Sequence, residues 1–284
     1  MSAPTVKIMK IMIVPRALVI VFLLTPCVAS ADPYRFNPGC PLPYEAITHA
    51  HPIDQVCNRA GESQEYTPSS QAQRRANEAK NELCAAGPPV FLTFQDFQHL
   101  MGRVEDLGIE FGPGRHVRDR TMLRTLYTKA VGGQTVSIGE GSLVRLAAYV
   151  ADAKTSNVSS GESVNCKRKG KENNDIHITL VGHPEDPPCA GIVAEMIPHY
   201  RPTAWRDSAI RAVERPVRVT GHLFFDSPHL PCDDEGNPIG GNPARVSLWE
   251  IHPVYAFEVC THTALAACRG DHDEDWQLLG VPEH

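Results

Sequence analysis

The sequence predicts an α+β protein in which a small helical N-terminal region is followed by a closed five-stranded β-barrel. Three observations predict it. Apolar residues recur at helical spacing up to about residue 127, and after Gly141 they alternate with polar ones while β-branched residues take over. Five strand-like runs follow, with a single helix-like segment between the third and the fourth. The 284 residues are 42% hydrophobic and 21% charged, a globular composition that excludes a coiled coil, a collagen-like repeat or a mainly disordered chain.

The elements can be justified in chain order. Lys7, Lys10 and Arg16, an apolar run over residues 17–24 and the small-x-small pattern Ala29-Ser30-Ala31 read as a signal peptide covering residues 1–31. The run is shorter than the roughly 20 apolar residues that a membrane span requires, so no integral span is expected after cleavage. Residues 32–135 form a cysteine-containing lead-in and helical region. Its first part, to about residue 70, is rich in Pro, Gly and polar residues. Ser69 and Ser70 then offer a cap to a helix running to Cys84, which Gly87-Pro88-Pro89 stops. Thr93 with Asp96 resembles a capping box, and Phe94, Phe97, Met101 and Val104 share the stripe of a second helix that Gly108 ends. Asp119 is expected to cap a third helix through Met122, Leu123, Leu126 and Tyr127, ending at Gly132-Gly133.

Residues 136–262 carry the barrel, with strands expected over 143–151, 175–181, 191–197, 217–225 and 246–259 and a helix over 204–213. Strand, strand, strand, helix, strand, strand is the order of the OB-fold, a Greek-key barrel. Residues 263–284 are read as an acidic C-terminal tail.

Charge and cysteine usage bear on address and partners. Cleavage after Ala31 would remove three of the 27 basic residues and none of the 33 acidic ones, leaving a net charge of −9. General nucleic-acid binding is unlikely for such a chain. Of the nine cysteines, Cys27 would leave with the leader. The other eight, Cys40, Cys57, Cys84, Cys166, Cys189, Cys232, Cys260 and Cys268, are best read as disulfides of an extracytoplasmic, periplasmic or secreted protein. No Cys-x-x-Cys suggests zinc. On proximity alone Cys57 is expected to pair with Cys84, and the remaining connectivity is left open.

Four segments carry a resemblance: Gly139-Glu140-Gly141, Gly161-Glu162-Ser163-Val164-Asn165-Cys166, Asn174-Asp175-Ile176-His177-Ile178 and Trp249-Glu250-Ile251-His252-Pro253-Val254. Through them the chain resembles a group of uncharacterised exported bacterial proteins whose C-terminal half is OB-like. The likeness extends upstream through Cys84-Ala85-Ala86-Gly87. It implies export and the barrel, and it carries over no catalytic residue.

Alternation assigns faces to the strands. Ile176, Ile178 and Leu180 point inward, leaving Asp175, His177 and Thr179 outside. Val217, Val219, Gly221 and Leu223 point inward, leaving Arg218, Thr220 and His222 outside. Glu250 and His252 share the face opposite Trp249 and Ile251, and Trp249 is expected in the core. Glu195 interrupts the apolar third strand and would meet His177 if the second and third strands pair. Such a carboxylate–imidazole pair can bind a metal or move a proton. The ordinary expectation for His177, Glu195, Glu250 and His252 is nonetheless a solvated position, or a hydrogen bond that ties down a loop.

The first-to-second connection holds Lys167, Arg168, Lys169 and Lys171, which can grip an acidic ligand or simply be solvated. The fourth-to-fifth holds Asp233, Asp234 and Glu235, whose spacing fits no EF-hand. His49-Ala50-His51 with Asp54 sits in the Pro-rich lead-in, where coincidence explains it. There is no Gly-x-Ser-x-Gly elbow, no His-Glu-x-x-His and no phosphate loop. The expectation is an exported, disulfide-braced binding or interaction module for an unknown protein, glycan or acidic ligand, with no cofactor or metal assigned. The alternative is an exported metal-dependent hydrolase, nuclease-like in chemistry, built on His177, Glu195 or the Glu250–His252 pair.

Overall fold

The computed structural model describes residues 44, 48–62, 67–85 and 88–280. The expected signal peptide with its cleavage site, together with Cys27 and Cys40, lies outside them. The described residues belong to one compact unit, and none of their helices is long and apolar enough to cross a membrane.

Helix α1 spans Pro68–Lys80. Its cap is Thr67 rather than Ser69 or Ser70, because Pro68 supplies a preset φ and lacks the N–H that the first turn would leave unpaired. The Thr67 hydroxyl accepts from the Ser70 N–H at 3.1 Å. The helix stops at Lys80, short of Cys84, and buried Asn81 donates its amide to the Arg59 carbonyl at 3.0 Å. A two-residue strand β1 (Val90–Phe91) leads to α2 (Phe94–Asp106). Here the expected capping box forms. The Thr93 hydroxyl accepts from the Asp96 N–H, and the Asp96 carboxylate accepts from the Thr93 N–H at 2.7 Å. Phe97, Leu100, Met101 and Val104 bury one face of α2 in the main core.

The third expected helix does not form. Asp119 caps only a single 3-10 turn, Arg120–Leu123, accepting from the Thr121 N–H at 3.0 Å. The chain then makes a hairpin of β2 (Tyr127–Val131) and β3 (Gln134–Ile138). Gly132 and Gly133, at φ of 56° and 80°, form its two-residue turn instead of ending a helix. Thr128, Val131, Thr135, Val136 and Ile138 favour strand, and they outweigh the short helical spacing before them.

The barrel consists of β4 (Leu143–Thr155), β5 (Ile176–Val181), β6 (Ile192–Met196), β7 (Val217–Phe225) and β8 (Trp249–Cys260), with α3 (Asp207–Arg211) between β6 and β7. The strands are ordered β4-β5-β6-β8-β7, and β7 pairs back onto β4 to close the ring. Only β6 and β8 run parallel within that ring. This is the expected OB-fold-like arrangement. The 13-residue β4 serves two partners, β7 along its first half and β5 along its second. Gly221 lies where the β7–β8 register shifts, and a Cβ there would sit 2.4 Å from the Pro253 carbonyl, so the close approach needs glycine. The inward-facing Ile176, Ile178, Leu180, Val217, Val219, Leu223, Trp249 and Ile251 form the core together with α2.

Three disulfides join pairs of described residues: Cys57–Cys166, Cys189–Cys232 and Cys260–Cys268. The expected Cys57–Cys84 bond is therefore corrected, although Cys84 is itself disulfide-bonded. The turn that carries Cys57 lies against the β4–β5 connection, where its Cα is 5.6 Å from that of Cys166, so spatial contact overrides nearness in sequence. Beyond the barrel, β9 (Trp276–Leu278) pairs with β8, and the Arg218 guanidinium stacks over Trp276 at 5.1 Å.

Candidate functional site

Three neighbouring strands bring the sequence candidates together. The β5–β6 register sets His177 opposite Glu195, with His177 Nε2 3.1 Å from Glu195 Oε1. The parallel contact of Ala194 with Ile251 places His252 of β8 beside Glu195 on the outer wall. His252 Nδ1 lies 2.9 Å from Glu195 Oε2 and 3.5 Å from Glu250 Oε2, and its Nε2 lies 3.7 Å from Asp175 Oδ2. His177, Glu195, Glu250 and His252 thus form one cluster, which Asp175 joins.

The expectation that these side chains are solvated is overturned. Glu250, His252 and Asp175 are 0% exposed and Glu195 1%. The outer wall is covered by the chain itself. Phe224 packs edge-on against the His252 ring, with Lys80 of α1 and Arg120 over its face. Asn165, from the β4–β5 connection, donates its amide to Asp175 Oδ1 at 2.9 Å. Arg245 pairs with Glu250 Oε1 and reaches Asp226 at 3.4 Å, while Lys80 reaches Asp226 at 3.3 Å.

Burial in a polar setting displaces the ionisations. Desolvation opposes charge on His252, but the adjacent Glu195 carboxylate prevails and its pKa is pushed up to about 10. Burial would likewise raise Glu195, yet His177, His252 and Lys80 hold it well below the usual carboxylate range. Glu250 moves up through burial and the nearby Asp226 and Glu195 charges. Glu162, buried beside Asp175, is pushed up to about 7.

In each of three carboxylates, one oxygen is engaged by a protein donor: Asp175 Oδ1 by Asn165, Glu195 Oε1 by His177, Glu250 Oε1 by Arg245. The second oxygen of each, and both ring nitrogens of His252, make no hydrogen bond. Asp175, Glu195 and His252 each present one donor atom within 4.8 Å of the others, a spacing compatible with a shared cation.

A second feature is a cleft of about 970 Å³ between α1, the Arg118–Thr125 segment and the start of β4. Its lining includes Arg59, Arg75, Arg118, Arg120, Arg124 and His222. Arg59 pairs with Glu82, and Arg120 forms a buried pair with Glu140. Arg75 donates only to the Arg118 carbonyl, at 2.6 Å, and Arg75, Arg118 and Arg124 have no carboxylate within ion-pair distance among the described residues. His222, expected on the outer face, is 3% exposed. Its Nδ1–H donates to the His252 carbonyl at 3.0 Å, so Nε2 is the acceptor nitrogen and has no described partner. Burial holds its pKa below the ordinary histidine value.

Other candidates are placed elsewhere. Lys167, Arg168 and Lys169 are exposed on the β4–β5 connection, and Lys171 pairs with Asp207 at 2.9 Å. Asp233 accepts from the Asn237 N–H at 2.7 Å in a self-contained turn. Asp54 binds His199 Nδ1 at 2.7 Å, and His51 meets the Arg201 carbonyl at 2.9 Å, so this His-x-His segment anchors the lead-in to the barrel. Sequence reasoning missed the participation of Lys80, Glu162, Asp226 and Arg245 in the cluster and the whole arginine cleft. Those residues come from segments far apart in the chain and share no spacing. No family model, no curated protein and no solved structure matches the chain.

Proposed function

We propose that this is an exported binding module that takes an acidic ligand in the arginine-lined cleft. The observation that carries the reading is the set of three guanidiniums, Arg75, Arg118 and Arg124, that form no ion pair among the described residues around one concave surface, which Glu78, Glu82, Asp119 and Glu140 also line. Five arginines against four carboxylates in that lining leave a small local surplus of positive charge, which an anion would offset. Guanidinium forks match carboxylate, sulfate and phosphate oxygens in pairs. His222 Nε2 adds an acceptor for a ligand hydroxyl. Disulfides that close onto the barrel fit an oxidising compartment, and the resemblance to exported bacterial proteins points the same way. Of the residues behind the hydrolase alternative, Glu195, Glu250 and His252 are buried, which weighs against it, while His177 keeps partial exposure.

The test is equilibrium binding of inorganic sulfate and of sulfated and uronic-acid oligosaccharides to the oxidised protein. Replacing Arg75, Arg118 and Arg124 by Gln together is expected to weaken binding at least about tenfold, the loss of more than one charge-assisted contact. Urea stability should stay nearly unchanged, since these side chains are exposed. Unchanged affinity in that variant, or its loss instead when Lys167, Arg168, Lys169 and Lys171 are changed to Ser, overturns the assignment.

A further inference from the structure

We propose that Asp175, Glu195 and His252 hold one divalent transition-metal cation, a closed structural site on the outer wall of the barrel. Each ligand comes from a different, mutually hydrogen-bonded strand or its first flanking residue, so the registers of β5, β6 and β8 fix their spacing. Donor atoms about 2.1 Å from one ion lie roughly 3–4 Å apart. One imidazole nitrogen can serve one ion, and one donor atom from each of Asp175, Glu195 and His252 lies within 4.8 Å of the others, so a modest inward shift would bring them to that range.

Hydrogen bonding marks these atoms out. A buried polar atom without a partner costs free energy, and here Asp175 Oδ2, Glu195 Oε2, Glu250 Oε2 and both His252 nitrogens lack one. The 2.9 Å approach of His252 Nδ1 to Glu195 Oε2 is short enough for a hydrogen bond but misaligned for one. The opposite oxygens are already oriented by Asn165 and His177, the arrangement that outer-shell partners give to metal ligands.

Two carboxylates and one imidazole suit zinc or manganese rather than calcium or magnesium, which prefer all-oxygen shells. With its ligands at 0–1% exposure the site is shut off from substrate, so the ion would brace the wall.

The experiment measures metal by plasma mass spectrometry in the oxidised protein, isolated from medium containing Zn²⁺ and Mn²⁺ and also refolded with each. About one equivalent is expected. The isosteric Asp175→Asn and Glu195→Gln variants should retain less than about a tenth of that, losing an anionic ligand each. The idea is overturned if the unaltered protein holds no metal by either route, which would leave a protonated His252 bridging the carboxylates, or if both variants load fully. Should the variants fail to fold, the Mn²⁺-loaded native protein decides. Pulsed electron-spin spectra should show coupling to one imidazole nitrogen, and a loaded protein without that coupling carries its ion elsewhere.

Discussion

Arg120 and Glu140 form a two-pronged ion pair with both side chains at 8% exposure, and the same carboxylate accepts from the Phe225 N–H at 3.2 Å. Breaking such a pair leaves a buried carboxylate with no countercharge. Arg120→Ala is therefore expected to cost about 3–5 kcal/mol, read as a lowered urea midpoint. Asp207 makes a milder, pH-dependent contribution. Burial alone would raise its pKa, but hydrogen bonds from Lys171, Thr155 and backbone N–H groups bring it down from 3.8 to about 2. Because the folded value lies below the unfolded one, its stabilisation is present above about pH 4 and is lost as pH falls toward 2. Denaturation curves taken across that interval should be flatter for Asp207→Asn than for the unaltered protein. A pH dependence equal in both proteins would refute the assignment. Among single residues, the His177–Glu195 contact was legible in sequence, since it needed only alternation and the pairing of consecutive strands. The burial of Glu195 was not, because what covers it comes from residues near 80, 165 and 245.

The disulfides differ in what they restrain. Cys57–Cys166 spans 109 residues, whereas Cys260–Cys268 spans 8. If restriction of the unfolded chain dominates, changing the first pair to Ser should cost about 4–5 kcal/mol and the second about 2–3 kcal/mol. Chemical denaturation of the two double variants checks the order, and equal losses would mean that native contacts around the bonds govern instead. The barrel strands were readable because each buries one face and so alternates. Their expected bounds differ from the observed ones by a few residues, as where β8 begins at Trp249 rather than 246. The β2–β3 hairpin was misread because Met122, Leu123, Leu126 and Tyr127 happen to repeat at helical intervals. Leu123, Leu126 and Tyr127 instead pack with Ile138 and α2, while Met122 is exposed.

The molecule as a whole has a barrel that is dry inside and a polar wall that is almost as dry outside. The inner core was legible from hydrophobic pattern, whereas the outer one was not. Binary patterning marks Glu195, Glu250 and His252 as surface, and nothing local announces that another part of the chain will cover them. The covering is also covalent, since Cys57 in the lead-in is bonded to Cys166 in the barrel's first connection. This linkage has a consequence for how the protein survives protease attack. The hairpin tip at Gly132-Gly133 lies between the two bonded cysteines and is exposed. A single cut there would produce a two-chain species rather than two fragments, migrating as one band on a non-reducing gel and as two once thiol is added. Separation without reductant would contradict the bond. A molecule nicked in this way keeps its cover attached while the peptide between is open, as zymogen-derived two-chain proteins do.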